Sequence, residues 1–300
     1  MRASWLDWTA DPPGVSSGRH LVAFRTLLLA HLAVQAWAWS VHELPPPYTF
    51  PPLTMRVAAV WFTFLCGISL ATDRGRLACA LALPAFAAAV AWTFPVTANH
   101  WYLALVLLGL CSVFDPEREG ESVLLIQGLR WLAVLVFFWA GAQKLLHGLY
   151  FRGEFMTWMI ANGVERWSDI FGWMLPDGEV ERLRALRRYQ PGAGPYRVDS
   201  ALFLLANNAV WVGELALAVL MGWRRTRQLA AFAAIALVFT IQTAPREFMF
   251  ALLYTNLLLL FVRGEPNRRL LPLFLAAYAY LVAVLFGAPG AFLLKAGGGL

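Results

Sequence analysis

The sequence predicts an all-α protein, a polytopic membrane helix bundle of eight or nine transmembrane helices, and three observations predict it. Hydrophobic residues make up 60% of the chain and charged ones only 14%, against roughly a quarter charged in an ordinary soluble domain. The apolar residues fall in long blocks rather than amphipathic stripes, and about 20 such residues cross roughly 30 Å of hydrocarbon. Many of the 14 tryptophans stand at block ends, among them Trp39, Trp101, Trp131 and Trp223. There an apolar ring with one polar N–H suits the membrane interface, while Trp61 and Trp211 sit deeper.

The blocks place candidate spans at 21–41, 53–72, 77–96, 100–114, 124–146, 201–222, 228–244, 248–262 and 270–287. The fourth and eighth are short. Residues 1–20 are polar, with Asp7, Asp11 and a Pro12-Pro13-Gly14 turn, so they read as a cytoplasmic tail without the apolar core of a cleaved signal peptide. The transmembrane domain is then 21–287, followed by a short C-terminal tail, 288–300.

Orientation follows from Lys and Arg in short loops, which stay on the cytoplasmic side. With nine spans, Arg2, Arg19, Arg74, Arg76, Arg118, Arg224, Arg225, Arg227, Arg263, Arg268 and Arg269 gather on one side, and only Arg246 and Lys295 on the other. This predicts a multi-pass protein of the cell inner membrane with a cytoplasmic N-terminus and an outward C-terminus. It also favours dividing 228–262 at Pro245, because a single span would separate two basic loops.

The one long connection, 148–200, is expected outside and to carry interfacial helices. Phe151, Phe155, Trp158, Met159 and Ile160 recur at helical spacing, as do Trp167, Ile170, Phe171 and Met174, so both runs can lie among headgroups as a lid. Arg182 to Arg188 reads as a solvated basic helix face. The net charge of +6 lies on no continuous basic stripe, so nucleic acid is not an expected partner. Membrane lipid is. Cys66, Cys79 and Cys111 sit in or beside apolar blocks without metal-ligand spacing, so neither a disulfide framework nor a metal site is signalled.

Ionisable groups at membrane depth are costly and normally face a partner or a cavity. Arg25 and His31 lie in the first span, Arg56 in the second, Arg130 in the fifth, and Asn207, Asn208 and Glu214 in the sixth. Arg25, His31, Arg130 and Glu214 read as structural buried polar residues, with Glu214 paired to an arginine. Near outward ends lie His100, Lys144, His147, Arg246 and Glu247.

Lys144 stands apart, because only two of the 24 basic residues are lysines. A desolvated amine can lose its proton and act as a base, whereas a guanidinium effectively cannot. The plain alternative is a lysine reaching back to the interface. His100 opens the fourth span and Lys144 closes the fifth, while Gln242, Arg246 and Glu247 line the turn between the seventh and eighth. A base, a proton partner and hydrogen-bonding groups at one depth make a candidate site.

Four stretches resemble the horizontally transferred transmembrane domain family, which includes the vitamin K-dependent gamma-carboxylase and bacterial relatives. They are GRHLVAFRTLLLAHL at the first span, TANHWYLALVLLGLCSVFD through the fourth, LRWLAVLVFFWAGAQKLLHGLYFRGE at the fifth and NNAVWVGELALAVL at the sixth. The third is the most specific: an Arg, an apolar run, then Ala-Gly and Lys-Leu, here Arg130, Ala140, Gly141, Lys144 and Leu145. The resemblance implies that Lys144 is the base acting on a quinone or hydroquinone, vitamin K-like, with Asn99 and His100 matching an Asn-His element. Lys144 and His100 are thus the candidate catalytic residues. Asn99, Gln143, Gln242, Arg246 and Glu247 are the candidate cofactor-binding residues.

Two departures stand out. The histidine-bearing stretch before the eighth span reads FTIQTAPREFMF here, leaving Gln242 or Glu247 for that place, and the chain carries no long β-rich segment after its helices. The resemblance therefore implies a quinone-using enzyme, carboxylase-like or oxidoreductase, acting at the outward face. The alternative it implies is a noncatalytic maturation or assembly factor for a secreted peptide or membrane-protein client.

Overall fold

A computed structural model describes residues 18–41, 50–95, 99–163, 167–186, 196–243 and 247–290. Among them every regular element is a helix. The helices are α1 (Gly18–Val41), α2 (Pro52–Ala71), α3 (Gly75–Trp92), α4 (Asn99–Val113), α5 (Glu119–His147), α6 (Glu154–Ala161), α7 (Trp167–Phe171), α8 (Glu179–Ala185), α9 (Ala201–Gly222), α10 (Arg227–Thr243), α11 (Phe248–Leu258) and α12 (Pro266–Leu285). Six of them, α1, α2, α3, α5, α9 and α12, are long and apolar enough to cross a membrane. The other three expected spans form the shorter apolar helices α4, α10 and α11, the last extended by a 3-10 turn over Leu259–Phe261. Fifteen residues in α4 rise only about 22 Å at 1.5 Å each, short of the roughly 30 Å hydrocarbon layer.

Observed bounds differ from the apolar blocks mostly at helix starts. The fifth block opens at 124, yet α5 begins at Glu119, because polar first-turn residues take helical geometry without adding to an apolar count. Proline marks two starts, Pro52 and Pro266, at the first helical position, where its missing N–H costs nothing and its fixed φ suits the helix.

The chain divides into two compact units, Met1–Trp131 with Glu247–Leu300, and Leu132–Arg246. In the first, α1 is the axis and packs against α2, α3, α4, α11 and α12. Its apolar residues run all round the helix, and 89% of its span is buried, against 28%, 33% and 22% for α2, α3 and α12. A helix apolar on every face is one enclosed by others, while its neighbours turn leucines and phenylalanines such as Leu53, Phe64 and Leu273 outward.

Several polar groups within this unit are tied to protein partners. The hydroxyls of Thr26 and Ser69 lie 2.8 Å apart across α1 and α2. Asn267 donates to the Asn256 carbonyl at 2.9 Å, and Asn256 donates to the Tyr278 hydroxyl at 3.4 Å. The Arg130 guanidinium donates from Nε to the Leu260 carbonyl at 2.9 Å, with Nη2 on the same oxygen, and stands 5.7 Å from the Phe261 ring. It thereby answers a carbonyl left orphaned where the α11 segment ends. Two tryptophans correct the sequence expectation: Trp39 and Trp101 are buried, with ring centroids 4.4 Å apart, and are not interfacial anchors. Aromatic stacking inside the unit takes up rings that block position alone assigns to headgroups.

In the second unit α9 and α10 pack together. The segment after α5 folds on itself: Met156, Ile160, Trp167, Leu175, Leu183, Tyr196 and Val198 bury one another together with Phe203 of α9. The segment forms the short helices α6, α7 and α8, and their apolar sides fill this local core. Ser200 joins the core to α9, accepting from the Phe203 amide at 3.3 Å and donating to the Met174 carbonyl at 2.6 Å. Arg187 and Arg188 of the expected basic face lie outside the described residues, as do Arg2, Lys295 and the Pro245 break.

Replacing Arg130 by methionine keeps bulk but removes both bonds to Leu260. Loss of charge-assisted hydrogen bonds at a buried carbonyl costs about 2 kcal/mol, so Arg130→Met is expected to lower the thermal midpoint of the detergent-purified protein by several degrees. An unchanged midpoint in a scanning fluorescence melt would contradict this role.

Candidate functional site

The best-defined polar site lies in the second unit, where α5 passes α9. It begins with a glycine. A Cβ on Gly141 would stand 2.8 Å from Leu215 Cγ and 3.0 Å from the Trp211 carbonyl oxygen, so a side chain there would force the helices apart. Small residues at such crossings let two backbones approach. One turn further along α5, Lys144 Nζ donates to both oxygens of Glu214, each at 2.7 Å. The Lys144 side chain is 19% exposed and that of Glu214 is 8% exposed.

An aromatic cover lies over the pair. Lys144 Nζ stands 5.4 Å from the centroid of the half-buried Tyr150 ring, within cation–π range. Burial, and next the Glu214 carboxylate, hold the Tyr150 phenol above its ordinary range, so it stays neutral. Tyr150 stacks on Phe155 at 5.0 Å, and Phe151 packs on Trp211 at 5.2 Å. Asn208 fastens this turn to α9: its amide donates to the Phe151 carbonyl at 3.3 Å and to that of Leu204 at 2.8 Å, while its oxygen accepts from Trp211 Nε1 at 2.9 Å. The turn itself relies on Gly153, whose φ of 71° belongs to the left-handed region and whose missing Cβ would crowd Phe203.

Glu214 was expected to pair with an arginine, and its partner is Lys144. The reason is register: the close approach at Gly141 delivers position 144 of α5 to position 214 of α9. Gln143, the residue before Lys144, is exposed. Gln242 is buried near the end of α10, with its carbonyl oxygen unpaired. Arg246 lies outside the described residues.

The remaining candidates belong to the first unit. Asn99 is exposed at the start of α4, and Glu247 is half-buried just before α11. His100 is half-buried, its ring 5.5 Å from Phe250. His31 is buried, edge-on to Tyr278 at 6.0 Å and within electrostatic range of His100. Arg25 is buried as well.

Sequence reasoning missed two residues. Tyr150 gave no signal beyond following Lys144 at loop distance. Glu154 is 1% exposed at the start of α6, with Arg152 and Arg197 at 3.7 Å and 3.9 Å. Its signal was an acidic residue after a glycine at a helix start, where the dipole favours negative charge.

This is the fold of an all-α chain compatible with a polytopic membrane protein, with a lysine–carboxylate pair between two of its spanning helices. Compared with family models, curated proteins and solved structures, the chain matches none.

The crossing can be probed directly. In an open helix Gly→Ala gains about 1 kcal/mol of propensity, but at Gly141 the new methyl meets a backbone oxygen that cannot rotate away, and overpacking costs about 1–3 kcal/mol. Gly141→Ala is expected to lower the melting midpoint. Gly109→Ala, where no atom stands within 4 Å of the added Cβ, is expected to leave it unchanged or raise it.

Proposed function

We propose that the protein is a membrane enzyme in which Lys144 and Glu214 act as one acid–base couple on a lipid-soluble substrate or cofactor. The observation that carries this reading is the two-oxygen contact of Lys144 Nζ with Glu214 at 2.7 Å, made by one of only two lysines in the chain. Passing one proton from Nζ to a Glu214 oxygen leaves a neutral amine. The amine can then take a proton from an acidic O–H presented beside it, which leaves an oxyanion facing the restored ammonium, and the proton held on Glu214 passes on to product or water. An arginine in the same place could hold the carboxylate but could not run this exchange.

The donor set fits a quinone or hydroquinone, which would supply an acidic phenolic O–H and redox chemistry when bound. Lys144 offers a base that retains some exposure, and Tyr150 offers an aromatic face with a neutral hydroxyl at the same place. Tyr150 and Lys144 would hold the ring, and the Phe151–Trp211 packing would keep water from the amine. The reading rests on the second unit alone. Resemblance to the horizontally transferred transmembrane domain family supports it through Lys144, and the same resemblance favours a bacterial inner membrane.

A second reading is a noncatalytic maturation or assembly factor for a peptide or membrane-protein client. The close helix approach at Gly141 favours it, since the same ion pair can serve as a clamp between α5 and α9. Lys144→Arg separates the two, keeping a cation for Glu214 while removing the transferable proton. In proteoliposomes supplied with a reduced naphthoquinone, the enzyme reading expects wild-type turnover and a loss of at least about 100-fold in Lys144→Arg, with the melting midpoint retained. Absence of quinol binding and turnover by the wild type, or a fully active Lys144→Arg variant, overturns it.

A further inference from the structure

Glu214 is taken by Lys144, which leaves a different charge without an answer. Arg25 lies one-third of the way along the axial helix α1, is 1% exposed, and its Nε has no hydrogen-bond partner. Arg130, by contrast, is held by the Leu260 carbonyl. A guanidinium does not shed its charge, and an isolated buried charge is among the costliest features a protein can carry.

The position of the group indicates what would answer it. The Arg25 side chain fills the space where a Gly75 side chain would stand: a Cβ built on Gly75 would be 2.5 Å from both Nε and Nη2. Gly75 is the first residue of the 18-residue helix α3. The leading amides of that helix have no intrahelical acceptor, and its dipole adds partial positive charge at the same end. The N-cap residue, Arg74, makes no capping bond through its side chain. Cys79 and Cys111 lie within electrostatic range of Arg25.

This end of the first unit is also approachable. Gly18, where α1 begins, sits against the Pro116 carbonyl, with a Cβ there 2.8 Å from that oxygen. The starts of α1 and α3 and the residues after α4 therefore share one end. Arg19, Arg74 and Arg76 are exposed there. Asp73 is exposed in the same turn and is not paired with Arg25. A buried cation, a helix start and a rim of exposed arginines converge on one ligand chemistry.

We propose that Arg25, with the first-turn amides of α3, binds a phosphate-bearing anion at this end of the bundle. A phospholipid phosphate and a soluble phosphate share that chemistry, and Gly75 is the residue whose lack of a side chain admits the guanidinium. The site is independent of the Lys144–Glu214 couple, so the two readings stand or fall separately.

The test uses the full chain in dodecyl maltoside and follows its melting midpoint. One arm adds sodium phosphate against sodium chloride at equal ionic strength; the other adds phosphatidylglycerol against phosphatidylcholine in mixed micelles. A ligand that binds only the folded state raises its midpoint. A rise of several degrees in either arm is expected for the wild type and is expected to vanish in Arg25→Gln. A response to phosphatidylglycerol alone assigns the anion to lipid, and a response to phosphate assigns it to a soluble source. If Arg25→Gln does not fold, Gly75→Ala is read instead, since its methyl displaces the guanidinium, and it is expected to blunt the response. No anion-specific rise in the wild type, or an equal rise in a folded variant, overturns the proposal.

Discussion

Charge placed inside an apolar helix bundle has to be answered by the protein, because the surrounding medium offers neither water nor counter-ions, and this constraint organises the structure. Lys144 and Glu214 meet it by pairing across α5 and α9. Arg130 meets it by binding a helix-end carbonyl. Each solution dictates geometry elsewhere. The Lys144 pair requires Gly141, because two helices with ordinary side chains at that level would hold the amine and carboxylate too far apart for a bond. It also positions the turn carrying Tyr150 and Phe151, which Asn208 then fixes to α9.

The energetic weight of these solutions differs from that of surface ion pairs. Arg118 with Glu121, Arg182 with Glu179 and Arg268 with Glu265 are pairs three residues apart at helix starts. Such pairs are weak, because water and salt screen both charges. Removing one partner of a buried pair instead leaves a desolvated charge, at about 3–5 kcal/mol. The exposed arginines serve topology and solvation, and the few enclosed charges fix which helices touch and in what register.

Much of the helical architecture could be read from apolar blocks, because block length and composition are local properties. The six longest helices fall where such blocks lie, and α4 and α11 coincide with the two blocks read as short, with α10 a third short helix. The composition also singled out Lys144, through the near-absence of lysine elsewhere. Its partner was not legible, since 70 residues separate the two and nothing local distinguishes Glu214 pairing with lysine from pairing with arginine. Trp39 and Trp101 show the same limit: their positions at block ends fit an interface, and only the packing of α1 on α4 reveals that they meet inside. The 148–200 region was legible as amphipathic helices, but whether an apolar stripe meets lipid or a neighbouring stripe depends on how the chain folds back, as Tyr196 and Leu183 do here.

The account turns on Lys144 and Glu214 acting as one unit, and a double-mutant cycle measures that directly. Melting free energies of the wild type, Lys144→Met, Glu214→Gln and the double variant give the coupling between them. The structure predicts that each single change is costly and that the second adds little to the first, with a coupling of about 2 kcal/mol or more. Single effects that simply add, with coupling within about 0.5 kcal/mol of zero, would show that the two side chains do not act together and would contradict the site described here.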